Sequence, residues 1–219
     1  MSRIVVKVGG AVAASAAQQI RELAAEHEVL VVHGAGPQIT RRMAQADLPV
    51  EFVGGRRVTS AAALAIVTES LAEVNAGICA ALGALAQPFP EGGLEATIVR
   101  PLGFVGDPVP WAPPAIVDAL AAGRVPVVAT LARGPLNVNG DDAAAALAVG
   151  IRADRLLFIT DVPGVLLDGV VTRALDADEA ERLIDAGTFT DGIVPKLLAA
   201  ARAARRGIHA EIGETAVTA

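Results

Sequence analysis

Short apolar segments alternate along the chain with longer alanine-rich segments. Four of the apolar segments are rich in valine, isoleucine and leucine, as is typical of buried β-strands: RIVVKV, VLVVHG, RVPVVATLA and RLLFITDV, which begin at residues 3, 29, 124 and 155. Between them, apolar residues recur at helical spacing, which predicts helices at about 15–26, 37–46, 60–84, 114–122, 141–152, 177–186 and 194–206. This alternation indicates an α/β protein with a mainly parallel sheet.

Polar residues mark the starts of two of these helices. Thr59 or Ser60 is expected to cap the third helix, and Asp176 or Asp178 the sixth, because short polar side chains accept hydrogen bonds from the first free N–H groups.

Residues 86–114 concentrate proline and glycine, which predicts loops with short strands and a boundary between two lobes of one domain spanning 1–219.

A second turn signal lies in the later half of the chain. In VLLDGVVTRAL, which begins at residue 165, Asp168 and Gly169 separate two apolar runs. An Asp-Gly pair between such runs is typical of a tight β-hairpin.

Composition excludes several classes of protein. The 219 residues are 53% hydrophobic, enough for one substantial core, and the net charge of -6 with scattered basic residues argues against a nucleic-acid surface. No run of about 18 apolar residues lacks a polar or charged break, so no membrane-spanning segment is predicted. With a single cysteine, Cys79, no intrachain disulfide can form, and the chain enters a strand too early for a signal peptide. We therefore expect a cytoplasmic protein.

Lysine is rare in this chain. Of 18 basic residues only Lys7 and Lys196 are lysines, which leaves 16 arginines. An ammonium group acts as a compact point charge beside one or two oxygens, which the planar guanidinium cannot imitate. The two lysines are therefore candidate functional residues, although codon bias also explains such a distribution.

Glycine-bearing turns follow three of the predicted strands. They are Gly9-Gly10, Gly34-Ala35-Gly36 and the DVPG segment at 161–164. In open α/β sheets, ligands bind beyond the carboxyl ends of the strands, where backbone N–H groups and helix N-termini meet anions. The turns favour phosphate binding, although each glycine taken alone only permits a tight turn. Neither GxxxxGK[ST] nor GxGxxG occurs, so another nucleotide-binding architecture is required.

The segment LNVNGDDAAAALA, from residue 136, combines amides with acids. Asn137 and Asn139 are two positions apart, so their side chains lie on the same side of an extended segment. The hydrogen-bond donors and acceptors of the two amides suit a small polar ligand. Asp141 and Asp142 follow at a predicted helix start, where one of them is expected to act as a cap or as a first-turn acid that offsets the helix dipole. His33 is interpreted as a structural residue, and no histidine or cysteine has metal-ligand or triad spacing.

Seven motifs occur in one order along the chain: KVGG, VVHGAGPQI, FVGGRRVT, LGFVGD, LNVNGDDAAAALA, ITDVPGV and TDGIVPKLLAA. In this order they resemble the amino acid kinase family, and within it the members that act on N-acetylglutamate. The resemblance covers residue 3 to about residue 207. It implies a three-layer αβα sandwich around a mainly parallel sheet, with an acceptor-binding lobe at about 1–113 and a nucleotide-binding lobe at about 114–219.

The resemblance also implies an activity. The γ-phosphoryl group of ATP would pass to the side-chain carboxylate of N-acetyl-L-glutamate, giving an acyl phosphate and ADP in arginine biosynthesis. Because a carboxylate is already ionised at neutral pH, the reaction needs no general base, but it needs positive charge against the repulsion between two anions. Mg²⁺ is expected on the phosphates, without a protein ligand that can be named.

Site residues follow from the same resemblance. Lys7 and Lys196 would flank the transferred group, and Asp141 would orient both lysines. Arg57 and Asn137 would hold the α-carboxylate end of the acceptor. Backbone N–H groups of Gly34 and Ala35 would face the acceptor and the transferred group, and the expected nucleotide-binding residues are Gly9, Gly10, Asp161, Val162, Gly164, Asp168 and Gly169.

The chain departs from the family pattern at several places. Ala35 replaces a usual glycine, as in relatives that phosphorylate isopentenyl phosphate, and Arg56 matches no family residue. The middle segment and the C-terminal region are shorter than usual. Arginine-inhibited members form hexamers through an extension before the first strand; its absence predicts a homodimer insensitive to arginine. A kinase for isopentenyl phosphate or for a carrier-linked aminoadipate or glutamate, and a non-catalytic nucleotide-sensing module, remain alternatives.

Overall fold

Helices and strands alternate through most of the chain in the computed structural model, which describes residues 1–9, 16–160, 162–190 and 192–219. The helices are α1 Ala17–Glu26, α2 Gly36–Gln45, α3 Ala61–Leu82, α4 Pro114–Ala121, α5 Gly140–Gly150, α6 Ala177–Asp185 and α7 Ile193–Ala204. The strands are β1 Arg3–Val8, β2 Glu28–His33, β3 Phe52–Val53, β4 Arg56–Arg57, β5 Ala86–Phe89, β6 Ala96–Ile98, β7 Val105–Pro108, β8 Val125–Ala129, β9 Leu131–Ala132, β10 Leu136–Val138, β11 Arg155–Ile159, β12 Leu166–Leu167, β13 Val170–Val171, β14 Ala174–Asp176, β15 His209–Ile212 and β16 Thr215–Thr218.

One large sheet contains eight of these strands, in the spatial order β14-β16-β15-β11-β1-β2-β8-β5. Neighbouring strands from β15 to β5 run parallel, and β16 reverses direction after a tight turn to pair antiparallel with β15. β8 comes from the later half of the chain, but it lies between β2 and β5 from the earlier half. The predicted mainly parallel sheet is confirmed, and both halves of the chain build it.

The central strands are covered by helices on both faces. Along β1, Val5 packs with α4, α5 and α7 in one core cluster, whereas Ile4, Val6 and Val8 pack with α1 and α3 in a second. Because successive side chains of a strand point to opposite faces, a strand buried on both sides reads as one continuous apolar run. The three-layer αβα sandwich is therefore confirmed.

Helix starts and ends follow the sequence signals closely. The Ser60 hydroxyl accepts a hydrogen bond from the Ala63 N–H, and Asp176 accepts from the second and third residues of α6, so each predicted pair contained the cap. α3 ends at Leu82, two residues earlier than predicted, because Gly83 adopts a φ of 62°. Such a conformation ends a helix and is accessible to glycine at little cost.

The prediction for the start of α5 was wrong in one respect. Neither Asp141 nor Asp142 caps this helix, because the Asn139 side chain accepts hydrogen bonds from both of their backbone N–H groups. Asparagine is as good a cap as aspartate. Both acidic side chains are therefore available for contacts with neighbouring residues.

Small sheets lie beside the central one. The region 86–114 contributes β5 to the edge of the large sheet, and β6 and β7 to a four-stranded sheet in the order β6-β7-β10-β9. The hairpin at Asp168 and Gly169 is confirmed: β12 and β13 pair antiparallel around these two residues, whose φ angles are 52° and 79°. Two positive φ angles are typical of the favoured two-residue hairpin turn.

By length and composition, one helix among the described residues could cross a membrane. This segment, Ala61–Leu85, consists of α3 and the short turn that follows it. Core helices of soluble proteins meet the same criterion, and α3 packs against β5 and β8 of the central sheet. Its exposed face carries Glu69 and Glu73. Helix α3 therefore packs on the core through its buried face.

Candidate active site

A cavity of about 1040 Å³ opens beyond the carboxyl ends of β1 and β2. Its walls come from the start of α2, the β3–β4 hairpin, β10, and the N-terminal turns of α5 and α7. This is where open α/β sheets place their ligands, because strand ends and helix N-termini meet there. Eight of the residues predicted for the site line this cavity: Lys7, Gly9, Gly34, Ala35, Arg57, Asn137, Asp141 and Lys196.

Both lysines contact one carboxylate. Lys7 Nζ lies 2.8 Å from Asp141 Oδ1, and Lys196 Nζ donates a hydrogen bond to Asp141 Oδ2 at 3.3 Å. Asp141 is only 5% exposed, and its Oδ1 accepts no aligned hydrogen bond from the described residues, so the contact with Lys7 is an ion pair. Two ammonium groups around one carboxylate leave a net charge of +1 at the cavity wall.

The two lysines come from elements of different kinds. Lys7 lies in β1, near the middle of the sheet, on the face opposite to Val6 and Val8 and towards α5. Lys196 lies in the first turn of α7 and also donates to the Gly192 carbonyl at 3.5 Å. Burial lowers the pKa of Lys196, and the nearby charge of Lys7 lowers it further, whereas Asp141 opposes both effects.

Arg57 is a buried cation that faces the same cavity. Its guanidinium donates to Thr40 Oγ1 at 2.8 Å and to the Gly36 carbonyl at 3.3 Å, and it lies 4.6 Å from the centre of the Phe52 ring. No carboxylate of the described residues forms an ion pair with it, although only 7% of the residue is exposed. Burial accordingly lowers its pKa. A buried guanidinium without a counter-charge is suited to an anionic ligand.

The two asparagines of β10 and its flank have different surroundings. Asn137 lines the cavity from the middle of β10 and donates to Thr59 Oγ1 at 3.0 Å. Asn139 caps α5 and donates through Nδ2 to the Gly55 carbonyl at 2.8 Å. Both polar groups of the Asn139 amide are thus used within the protein. Asn139 also lines the cavity, so the contact of either amide with a ligand stays a prediction.

Ala35 does not narrow the cavity with its methyl group. It packs in a core cluster with Ile39, Met43 and Val67, and it is 1% exposed. Its φ of -138° is open to any residue, so the backbone there does not require glycine. The methyl group at this position gives no steric reason to exclude an acceptor.

His33 lies at the end of β2 beneath the cavity and is fully buried. Asn75 donates through Nδ2 to His33 Nε2 at 3.0 Å and also to the Val127 carbonyl at 2.8 Å. Since a carbonyl only accepts, the amide must present its NH₂ group there, and Nε2 of the imidazole is the acceptor. Burial lowers the pKa of His33 to about 4. The neutral, buried imidazole agrees with its interpretation as a structural residue.

Most of the expected nucleotide-binding residues lie elsewhere. Gly9 lines the cavity, whereas Gly10 and Asp161 lie outside the described residues. Val162 is exposed, and Gly164 packs so closely on Thr215 and Val171 that a Cβ atom would lie 2.7–2.8 Å from their side chains. Asp168 and Gly169 form the β12–β13 turn. None of these last four lines the cavity, and packing alone accounts for Gly164.

Sequence reasoning missed several residues around the cavity. Phe52 and Thr40 contact Arg57, and Asn75 is the partner of His33. Arg56 contacts Asp107 and Asp142 at the rim. The motif FVGGRRVT contained Phe52 and Arg56, but no spacing rule indicated their partners, which lie far away in the sequence.

The amino acid kinase family model matches residues 2–214, and the chain therefore belongs to the amino acid kinase family. Among curated proteins, it is similar to the acetylglutamate kinase of Rubrobacter xylanophilus, with 41% identity over 97% of this chain and 88% of that protein. The acetylglutamate kinase of Gloeobacter violaceus is 33% identical over 94% of this chain and 78% of its own length.

A solved structure is similar to this protein over almost the whole of both chains. The protein smu.665 from Streptococcus mutans UA159 superposes with a TM-score of 0.88 and 27% identity, over 99% of this chain and 98% of that one. The arrangement of helices and strands is therefore shared over the whole length of both chains.

Proposed function

We propose that this protein transfers the γ-phosphoryl group of ATP to the side-chain carboxylate of N-acetyl-L-glutamate, a step of arginine biosynthesis. One observation carries the proposal: Lys7 and Lys196 flank the buried Asp141 in the same cavity that holds the guanidinium of Arg57, which pairs with no carboxylate of the described residues. The curated relatives named acetylglutamate kinase support the choice of acceptor.

The charges of the cavity match this acceptor. N-acetyl-L-glutamate carries two carboxylates, and the cavity offers a net +1 from the lysine pair with Asp141 and another +1 from Arg57. Arg57 is assigned to the α-carboxylate, since a guanidinium holds a carboxylate through two parallel hydrogen bonds. Asn137 is assigned to the same end of the acceptor because its amide lines the cavity beside Arg57.

The lysines are assigned to the transferred group. An ionised carboxylate needs no general base, and the neutral His33 is buried away from the cavity surface. The chemical difficulty is the approach of two anions, which fixed positive charges reduce. Asp141 holds both ammonium groups in place, and its carboxylate keeps their mutual repulsion from separating them.

The residues present fit ATP as the phosphoryl donor. The cavity is large, the ammonium groups of Lys7 and Lys196 line one wall, and Gly9 lines the same cavity. When bound, ATP with Mg²⁺ supplies the activated phosphoryl group. In the described part of the chain, no three His, Cys, Asp or Glu side chains are grouped to hold a metal ion, so we assign Mg²⁺ to the phosphates. The nucleotide-binding roles of Val162, Gly164, Asp168 and Gly169 remain part of this proposal.

We also propose that the enzyme is a cytoplasmic homodimer, with acceptor and nucleotide bound mainly by the lobes at about 1–113 and 114–219. The exposed face of α3 supports self-association because it is rich in alanine and carries Gly77. Light scattering of the purified protein tests the dimer: a mass twice that of the 22.2 kDa chain is expected, and a monomer or hexamer would contradict it.

The decisive experiment is ADP release from MgATP with and without N-acetyl-L-glutamate, with hydroxylamine present to trap the acyl phosphate as a hydroxamate. Hydroxamate that depends on the acceptor is expected, and Arg57→Ala should raise the acceptor KM far more than the ATP KM. Turnover with isopentenyl phosphate or a carrier-linked acceptor instead would replace the proposed substrate. ATP binding without turnover on any acceptor would indicate a sensing module.

A further inference from the structure

Two adjacent arginines of the β3–β4 hairpin have separate sets of partners. The Arg57 guanidinium contacts Thr40, Gly36 and the Phe52 ring, without a carboxylate among the described residues. Arg56 contacts two carboxylates, Asp142 at 3.1 Å from Nη2 and Asp107 at the same nitrogen. Both arginines line the cavity, but successive side chains of a strand point in opposite directions, so their guanidinium groups meet different partners.

This hairpin depends on tertiary contacts. Each strand has only two residues, and β3 is exposed. A two-stranded hairpin is marginally stable by itself in water. Gly54 and Gly55 have φ angles of 55° and 75°, which is typical of a two-residue turn that sets the pairing of the strands, so contacts outside the hairpin must fix its position over the cavity.

Two of these outside contacts lie at the tip of the hairpin. Asn139 donates to the Gly55 carbonyl at 2.8 Å, and the Cα of Gly55 lies so close to Pro195 that a Cβ atom would be 2.6 Å from its Cγ. These contacts hold the turn over the starts of α5 and α7. They involve neither guanidinium group.

The carboxylates distinguish the two arginines. Burial would lower the pKa of Arg56, but the charges of Asp142 and Asp107 outweigh it and raise the pKa. Asp142 follows Asp141 at the start of α5, and it also pairs with Arg202 on α7, six residues after Lys196. Arg56 is therefore attached to the two helices that carry the charged residues of the cavity.

We propose that Arg56 is a positioning residue that holds the β3–β4 hairpin against the start of α5 and against β7, so that Arg57 faces the acceptor. Asp142 and Asp107 pair with the Arg56 guanidinium, whereas no carboxylate among the described residues pairs with Arg57. This inference rests on the proposed function, since it assigns Arg57 to the acceptor. It gives a role to the arginine that the family pattern does not contain.

The test compares steady-state kinetics of Arg56→Gln with the wild type. The acceptor KM should rise about five- to tenfold, on the scale of a partly exposed charge network, while the ATP KM stays within about twofold. Arg56→Lys should restore part of the loss because it keeps one cationic contact. Arg133→Gln is the matched control, since Arg133 is paired with Glu95 and does not line the cavity.

A double-mutant cycle identifies the partner. If Arg56 acts through Asp142, the combination of Arg56→Gln with Asp142→Asn should be no worse for the acceptor KM than the more harmful single change. Asp107→Asn removes the other carboxylate partner of Arg56 from an exposed position, so it tests that second contact without endangering the fold. General unfolding would lower the active fraction without a selective rise of the acceptor KM.

The outcomes separate this inference from the proposed function. An acceptor KM within about twofold of wild type for Arg56→Gln, together with a large rise for Arg57→Gln, would overturn the positioning role and leave the function standing. An acceptor KM unaffected by Arg57→Gln, or no acceptor-dependent turnover in the wild type, would overturn both.

Discussion

Mild acid should destabilise this protein through one buried histidine. His33 is fully buried and accepts a hydrogen bond at Nε2 from Asn75. Protonation at Nε2 would remove that acceptor and place a second donor opposite the amide, in surroundings that disfavour charge. The hydrogen bond of the ring with the Gly34 carbonyl, at 3.4 Å, offsets only part of this cost.

The size of this loss of stability follows from the pKa of His33. Folding lowers the pKa of His33 from 6.5 to about 4, so the folded state binds fewer protons than the unfolded state between these values. Stability is therefore fully present above about pH 6.5 and decreases as the pH falls towards 4. At 1.36 kcal/mol for each pKa unit, the loss between about pH 7 and pH 4.5 is about 2 to 3 kcal/mol.

The assay is urea unfolding of the wild type and of His33→Gln at several values between these two pH limits. Acidic residues titrate in both proteins, so the difference between the two curves isolates the imidazole. The free energy of unfolding of the wild type should fall more steeply than that of His33→Gln, by about 2 kcal/mol in total. Parallel curves, within about 0.5 kcal/mol, would show that the imidazole does not resist protonation and would refute the reasoning.

Four further substitutions test the cavity. Lys7→Arg and Lys196→Arg should each lower kcat more than about tenfold in the coupled ADP assay, since a guanidinium cannot replace a point charge beside Asp141; near-normal rates would remove that argument. Gly55→Ala should lower the free energy of unfolding by about 1 to 2 kcal/mol in urea, because φ is 75° and Pro195 is in contact; an unchanged midpoint would contradict the described turn. Ala35→Gly should leave the acceptor KM within about twofold of the wild-type value and lower the free energy of unfolding by about 1 kcal/mol. A changed preference among acceptors would show instead that the methyl group selects the substrate.

The elements that could be predicted from the sequence are those with a strong local pattern. The buried strands β1, β2, β8 and β11 were visible as continuous apolar runs, and Asp168-Gly169 marked a turn. β5 was less visible, because the proline and glycine around it predict loops. Its place in the sheet depends on pairing with β8, some 40 residues later, which no local pattern contains.

Some residues of the candidate site could likewise be predicted from the sequence, and others could not. Lys7 and Lys196 could be found because lysine is rare here, and Asp141 could be found from its motif. The cap of α5 was misassigned, because asparagine and aspartate are equivalent by propensity and only their contacts distinguish Asn139. Asp107 and Asp142 are partners of Arg56 from 51 and 86 residues away, so no sequence rule could name them.

The insertion of β8 between β2 and β5 has a consequence for how the chain folds as it is synthesised. When residues 1–113 have left the ribosome, β2 and β5 have no strand between them, and β1 still lacks its later neighbour β11. Contacts between segments so far apart in sequence slow folding. Residues 1–113 and 114–219 therefore cannot be separated or exchanged as independent modules. The earlier half keeps an unpaired strand edge until the later half has been synthesised and completes the sheet.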